Sequence, residues 1–151
     1  MRGEILGRVA TDLLSVPPLI FRLIRRKLVM TSLADTDVDI KLLHFEIMRL
    51  LKEEKTLHPA VIGERLVIAK AQMTHLIDKL VELGFVKREM DATDRRTLNI
   101  TLTQKGSDVL DEQENLVLNA VRDNMSALAD RELEALSDSL RSLRDILFKL
   151  Q

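Results

Sequence analysis

Cysteine is absent from these 151 residues, as are tryptophan and tyrosine, and glycine and proline occur only five and three times. The missing thiols exclude disulfides, thiolate metal sites and cysteine-based redox sensing. With only four phenylalanines as aromatics, any ring stacking falls to Phe. No apolar run approaches the ~18 residues of a membrane span. Charges at Arg2, Glu4, Arg8 and Asp12 interrupt the N-terminal apolar stretch, which is not the pattern of a secretion signal. A cytoplasmic protein without membrane contact is the expectation. His44, His58 and His75 show no metal-ligand spacing, so neither a metal nor another cofactor is expected. No Ser-His-Asp or Cys-His arrangement and no phosphate-binding glycine loop can be assembled, which argues against an enzyme.

What is present suits one globular domain with a real core: 46% hydrophobic and 31% charged residues. The formal net charge of −1 hides a segregation of sign. Residues 1–60 carry ten basic and eight acidic groups, and residues 61–105 carry eight and six, so each stretch is +2. Residues 106–151 carry five basic and ten acidic groups, a net of −5. Global charge is therefore a poor argument against an anionic partner for the first two thirds.

Apolar spacing predicts helices over most of the chain. Ile5, Leu6, Val9, Leu13 and Leu14 form one stripe, and Leu19 to Leu28 form another. Between them Pro17 and Pro18 predict a kink or break. Thr31 to Asp39 reads as a polar loop, with Asp39 as N-cap of a helix carrying Leu42, Leu43, Phe45, Ile47, Leu50 and Leu51. Thr56 to Pro59 reads as a turn, with Pro59 starting a short helix through Leu66. A further helix is predicted from about Lys70 to Leu83, with Met73, Leu76, Ile77, Leu80 and Leu83 buried. Gly84 suits its left-handed end. Phe85–Met90 and Thr97–Leu102 read as strands, the second burying Leu98, Ile100 and Leu102. Thr103 is an expected N-cap for a helix to about Leu128. Asp130 is the expected cap of the last helix, whose leucines from Leu133 to Leu150 recur at three-four spacing.

Two constellations carry chemistry. The predicted outward face of the Lys70–Leu83 helix holds Lys70, Ala71, Gln72, Thr74, His75, Asp78 and Lys79. Gln72, Thr74 and His75 can hydrogen-bond base edges, and Lys70 and Lys79 can pair with phosphates. The plainer reading is a solvated helix face. Downstream, Asp91 to Thr97 forms a polar loop with adjacent Arg95 and Arg96 at its far end. It is either an ordinary hairpin turn or a basic tip for a narrow groove, one arginine reaching out while Asp94 braces the other. Paired short helices ahead of such a hairpin suggest a winged helix-turn-helix, a mostly helical α+β fold.

Residues 57–110 resemble the MarR family of transcription regulators. The matching stretches are Ile62–Leu66, Met73–Leu80, Gly84–Arg88, Asp94–Arg96 and Leu102–Gly106, in order and at the family's spacings. The resemblance implies a homodimer binding double-stranded DNA at a palindromic operator, with a recognition helix in each major groove and a wing in the flanking minor groove. It places base reading at Gln72, Thr74 and His75 and the minor-groove contact at Arg95. It implies a single MarR-like domain, with 1–35 and 107–151 as dimerisation helices around a DNA-binding region at 39–106. The family often has serine where Ala69 and Ala71 stand and arginine where His75 stands, so its base preference does not transfer. Repression, with release by a small aromatic or apolar effector, is also implied. Phe21, Met30, His44, Phe45 and Met48 fall on segments that line the family's effector crevice, although apolar helix residues are as readily plain core. The alternative from another class is a winged-helix module for protein contacts without DNA. The basic group Arg22, Arg25, Arg26 and Lys27 suits either phosphate contacts or a solvated helix end.

Overall fold

The computed structural model describes residues 1–31, 40 and 42–151, excepting the side chains of 25–31. Among the described residues six helices and three short strands follow in order: α1 (Arg2–Thr31), α2 (Leu42–Glu54), β1 (Thr56–Leu57), α3 (Pro59–Leu66), α4 (Lys70–Glu82), β2 (Val86–Met90), β3 (Leu98–Leu102), α5 (Gln104–Met125) and α6 (Asp130–Leu147). A single 3-10 turn, Phe148–Leu150, follows α6. This is the mostly helical winged helix-turn-helix architecture. Among the described residues no helix is long and apolar enough to cross a membrane.

The chain divides into a central unit, residues 31–115, and a terminal unit, residues 1–30 with 116–151. The central unit is organised around side chains that its helices and strands each contribute. Ile47, Met48 and Leu51 of α2, Ile62 of α3, and Met73, Leu76, Ile77 and Leu80 of α4 are buried with Phe85, Val86, Ile100 and Leu110. The three-four spacing on α4 places its apolar residues on one stripe, and that stripe is the buried one. The sheet order is β1-β3-β2, antiparallel throughout, with Met90 opposite Leu98 at the hairpin end and Thr56 opposite Thr101 at the other edge.

Several local features have clear causes. Gly84 ends the α4 segment at φ +75°, a conformation that costs glycine nothing. Thr103 caps α5: its hydroxyl accepts from the Gly106 amide at 3.0 Å and donates to the Gly84 carbonyl at 2.6 Å. Gly106 is there because a Cβ would meet the Phe85 carbonyl oxygen at 2.0 Å. The Leu102–Gly106 sequence thus docks the start of α5 directly on the strand entrance. Between α3 and α4, Val67 takes φ 56°, ψ 51° and is 91% exposed, a left-handed conformation that β-branched residues rarely adopt.

The structure corrects the sequence reading at several points. α1 runs unbroken through Pro17 and Pro18. Each proline removes one ladder donor, yet its fixed φ is already helical, and the helix-forming residues on both sides carry the turn onward. Thr56 and Leu57 are not turn residues but pair with Thr101 and Ile100 as a third strand, because the open edge of β3 offers backbone partners. In β3 only Ile100 is fully buried, while Leu98, at the hairpin end where it pairs with exposed Met90, is exposed. α5 ends at Met125, ahead of the predicted Leu128. Asp130 is the first residue of α6 rather than its cap. Ala129 precedes it, and the Glu132 carboxylate accepts from the Ala129 amide at 3.1 Å. Beyond Thr31, the predicted loop to Asp39 and its cap lie outside the described residues.

The terminal unit leaves its apolar stripes largely uncovered. Leu136, Leu140, Leu143 and Leu147 of α6 are all exposed, as are Ile5, Leu6, Val9 and Leu13 of α1. No residue of α6 is buried.

Candidate nucleic-acid interface

The polar face of α4 is built by subtraction. Once Met73, Leu76, Ile77 and Leu80 turn inward, Lys70, Ala71, Gln72, Thr74, His75 and Asp78 are left exposed, and Lys79 is half-buried. The Thr74 hydroxyl donates to the Lys70 carbonyl at 3.3 Å, a weak bond that a better acceptor could replace. Lys79 lies 3.8 Å from Glu82, so part of its charge is already balanced. Lys70 has no ion-pair partner among the described residues. Ala69 stands at the N-cap and provides no side-chain bond, so the first amides of α4 remain open to an anion.

The hairpin between β2 and β3 is the second element. At its base the Asp91 amide donates to the Thr97 carbonyl at 3.0 Å, and the Thr97 amide donates to the Asp94 carbonyl at 3.1 Å. The Asp91 carboxylate organises the turn, accepting from the Thr93 amide at 2.8 Å, the Thr93 hydroxyl at 2.7 Å and the Asp94 amide at 3.4 Å. These bonds, the Thr93 amide foremost, hold the Asp91 pKa down at about 2. Asp94 performs the next step: its carboxylate accepts from the Arg96 amide at 3.0 Å and lies 3.7 Å from the Arg96 guanidinium. Arg95 has no ion-pair partner among the described residues. The tip therefore presents one uncommitted guanidinium beside one loosely held by a carboxylate.

Helix and hairpin are joined. Arg88 on β2 pairs with Asp78 on α4, and a groove of about 600 Å³ lies between α3, α4 and the hairpin. Lys70, Thr74, Arg88 and Arg96 line it together with Ile68, Met73 and Ile77, and Glu64 is its one acid. Such a channel suits an anionic strand passing between the helix face and the wing. Arg88 and His58 line this groove without having been assigned to it from the sequence, and Asp91, expected as a loop residue, organises the turn. The pairing Asp78–Arg88 spans helix and strand, and no helical or strand periodicity announces it.

The residues expected around an effector fall on α1 and α2. His44 and Met48 are buried on α2, Met48 without any exposed surface, and Phe45 packs half-buried against the same core. Met48 thus serves as core. Phe21 lies on α1 and is 47% exposed. The side chain of Met30 lies outside the described residues, as do those of Arg25, Arg26 and Lys27. Arg22 donates to the Pro18 carbonyl one turn back at 3.2 Å.

Comparison with known proteins finds a family model, curated relatives and solved structures of like fold. Residues 38–97 match the model described as the MarR family. The HTH-type transcriptional regulator YkoM of Bacillus subtilis (strain 168) is 37% identical over 68 residues, covering 45% of this chain and 44% of the relative. TtmR of Methylorubrum extorquens (strain PA1), also an HTH-type transcriptional regulator, is 33% identical over 99 residues, 66% of this chain and 50% of the relative. The chain spans about half the length of these curated relatives. A MarR family protein from Bacillus stearothermophilus superposes with a TM-score of 0.73 at 19% identity, covering 98% of this chain and 99% of that one. A mutant MarR from E. coli complexed with operator DNA superposes with a TM-score of 0.60 at 22% identity, covering 91% and 92%.

Proposed function

From the match of residues 38–97 to the MarR family model and the likeness to HTH-type transcriptional regulators, we propose that this chain is a MarR-family protein, a dimeric, sequence-specific regulator of transcription that binds double-stranded DNA at a palindromic operator. The observation that carries the reading is the pairing of an exposed polar face on α4 with an arginine-tipped hairpin, joined through Asp78 and Arg88. α4 enters the major groove, where Gln72, Thr74 and His75 face base edges and Lys70 and Lys79 face phosphates. Arg95 enters the flanking minor groove, where the potential is most negative. The backbone strand between the two grooves runs past Arg88 and Arg96.

Two-fold pairing follows from what one copy leaves bare. Leucines at Leu136, Leu140, Leu143 and Leu147 form a stripe that leaves more than a third of each residue exposed, and covering that apolar surface is favourable by about 25 cal/mol per Å². A second copy covers such a stripe, and the resulting symmetry matches an inverted-repeat site. The effect on transcription is repression, relieved by a small aromatic or apolar effector.

The test is selection of binding sites from random duplex DNA, then titration of the selected site at two salt concentrations, with mass measured by light scattering. An inverted-repeat consensus, dimer mass and a steep loss of affinity with salt are expected. A stable monomer with no salt-sensitive affinity for any duplex would leave the reading without support. The protein-contact alternative predicts no salt-sensitive affinity for any duplex, whatever the mass.

A further inference from the structure

β1 is only two residues long, and its shortness leaves a gap on the outer edge of β3. The register sets Thr56 opposite Thr101 and Leu57 opposite Ile100. Continued by two residues, it would set Pro59 opposite Leu98. Proline has no amide hydrogen, so the ladder cannot extend there. The chain turns instead into α3, with His58 as its N-cap at φ −80°, ψ 147°.

The His58 side chain reaches the position that Pro59 cannot serve. Its Nδ1 lies 2.9 Å from the Leu98 carbonyl oxygen. A carbonyl only accepts, so Nδ1 carries the proton and donates. On the other side of the ring, Nε2 lies 4.0 Å from the Asp91 carboxylate, the group that organises the hairpin turn. One imidazole therefore touches both strands' ends at the base of the wing. His58 makes no side-chain bond to α3 itself, so its ring is committed to the hairpin rather than to capping.

We infer that His58 is a positioning residue for the wing: by donating to Leu98 beside Asp91, it ties the hairpin base to the start of the helix-turn-helix and so fixes where Arg95 points. This rests on the DNA-binding reading above for its consequence, but the mechanical tie can be measured without DNA. His58 also lines the groove beside Arg88 and Arg96, so a direct contact, whose loss would persist without Arg95, has to be told apart from positioning through Arg95.

The experiment is a double-mutant cycle on the full-length chain, using the selected operator duplex at one fixed salt concentration. His58→Ala is expected to weaken binding about fivefold, the worth of one exposed hydrogen bond. In an Arg95→Ala background the same change is expected to cost less than about twofold, because the group being positioned is gone. Equal losses in both backgrounds would overturn the inference. Amide hydrogen exchange on the free protein is the second measurement. His58→Ala should speed exchange at Asp91 and Thr97 about fivefold, and unchanged rates would overturn the tie itself. Should the wild-type chain bind no duplex at all, the regulator reading fails while the exchange data still decide whether His58 holds the hairpin.

Discussion

Arg88 on β2 and Asp78 on α4 form the side-chain pair that joins the wing to the polar helix. The two elements also meet in the core, where Leu76, Ile77 and Leu80 of α4 are buried with Val86 of β2, so the pair braces their mutual angle from outside it. Their side chains are 35% and 54% exposed, which keeps the energy small. A double-mutant cycle with alanine at both positions should give a coupling of about 0.2–1 kcal/mol in urea unfolding. A coupling indistinguishable from zero would show that the core alone sets the angle.

The two wing arginines should not be equivalent. Asp94 already faces Arg96 through both its amide and its guanidinium, whereas Arg95 is uncommitted. Arg95→Ala should weaken operator binding more than about tenfold without changing the dimer, and Arg96→Ala should cost about threefold or less. Fluorescence polarisation on one labelled duplex measures both. The reverse order would mean that Asp94 orients the reaching arginine rather than restraining the other.

Gly106 leaves no room for a side chain, since an added Cβ would lie 2.0 Å from the Phe85 carbonyl oxygen. Gly106→Ala must displace backbone, and a loss of about 2 kcal/mol or more is expected from chemical denaturation. Alanine is otherwise the better helix former, so an unchanged or raised midpoint would contradict the close approach of α5 to Phe85.

Acid should loosen the hairpin turn as Asp91 takes up its proton. Asp91 is held at about 2, below its ordinary 3.8, mainly by the Thr93 amide and hydroxyl. A folded pKa below the unfolded one means a contribution present above pH 3.8 and lost as pH falls toward 2. NMR titration should place the Asp91 carboxyl midpoint near 2, with Thr93 amide protection disappearing over the same interval. A midpoint at the ordinary value would remove Asp91 from the turn.

Much of this molecule is readable in its residues. The α4 stripe, the left-handed Gly84, the Thr103 cap and both hairpin strands follow from spacing and local preference, since each is decided by neighbours in sequence. The resemblance to regulators came from five short stretches that also happen to be the packed or turning parts of the central unit. Long-range decisions were not readable. Strand β1 exists because β3 offers an edge, and the continuity of α1 depends on how the turns flanking Pro17 and Pro18 bear two lost bonds. His58 was legible only as one of three scattered histidines. Its meaning required the register that sets Pro59 against Leu98.

Val67 sits in the tight bend between α3 and α4 with a left-handed backbone, and almost all of its surface meets solvent. A branched side chain resists that shape by about 1–2 kcal/mol, and being exposed it gains no packing in return. The bend is therefore imposed by the helices clamped on either side of it, not chosen by its own chemistry. Asparagine there should relieve the resistance and raise the melting temperature while leaving both the helix face and the wing untouched. The α3–α4 pair thus carries a built-in reserve of thermal robustness that a single exchange would release.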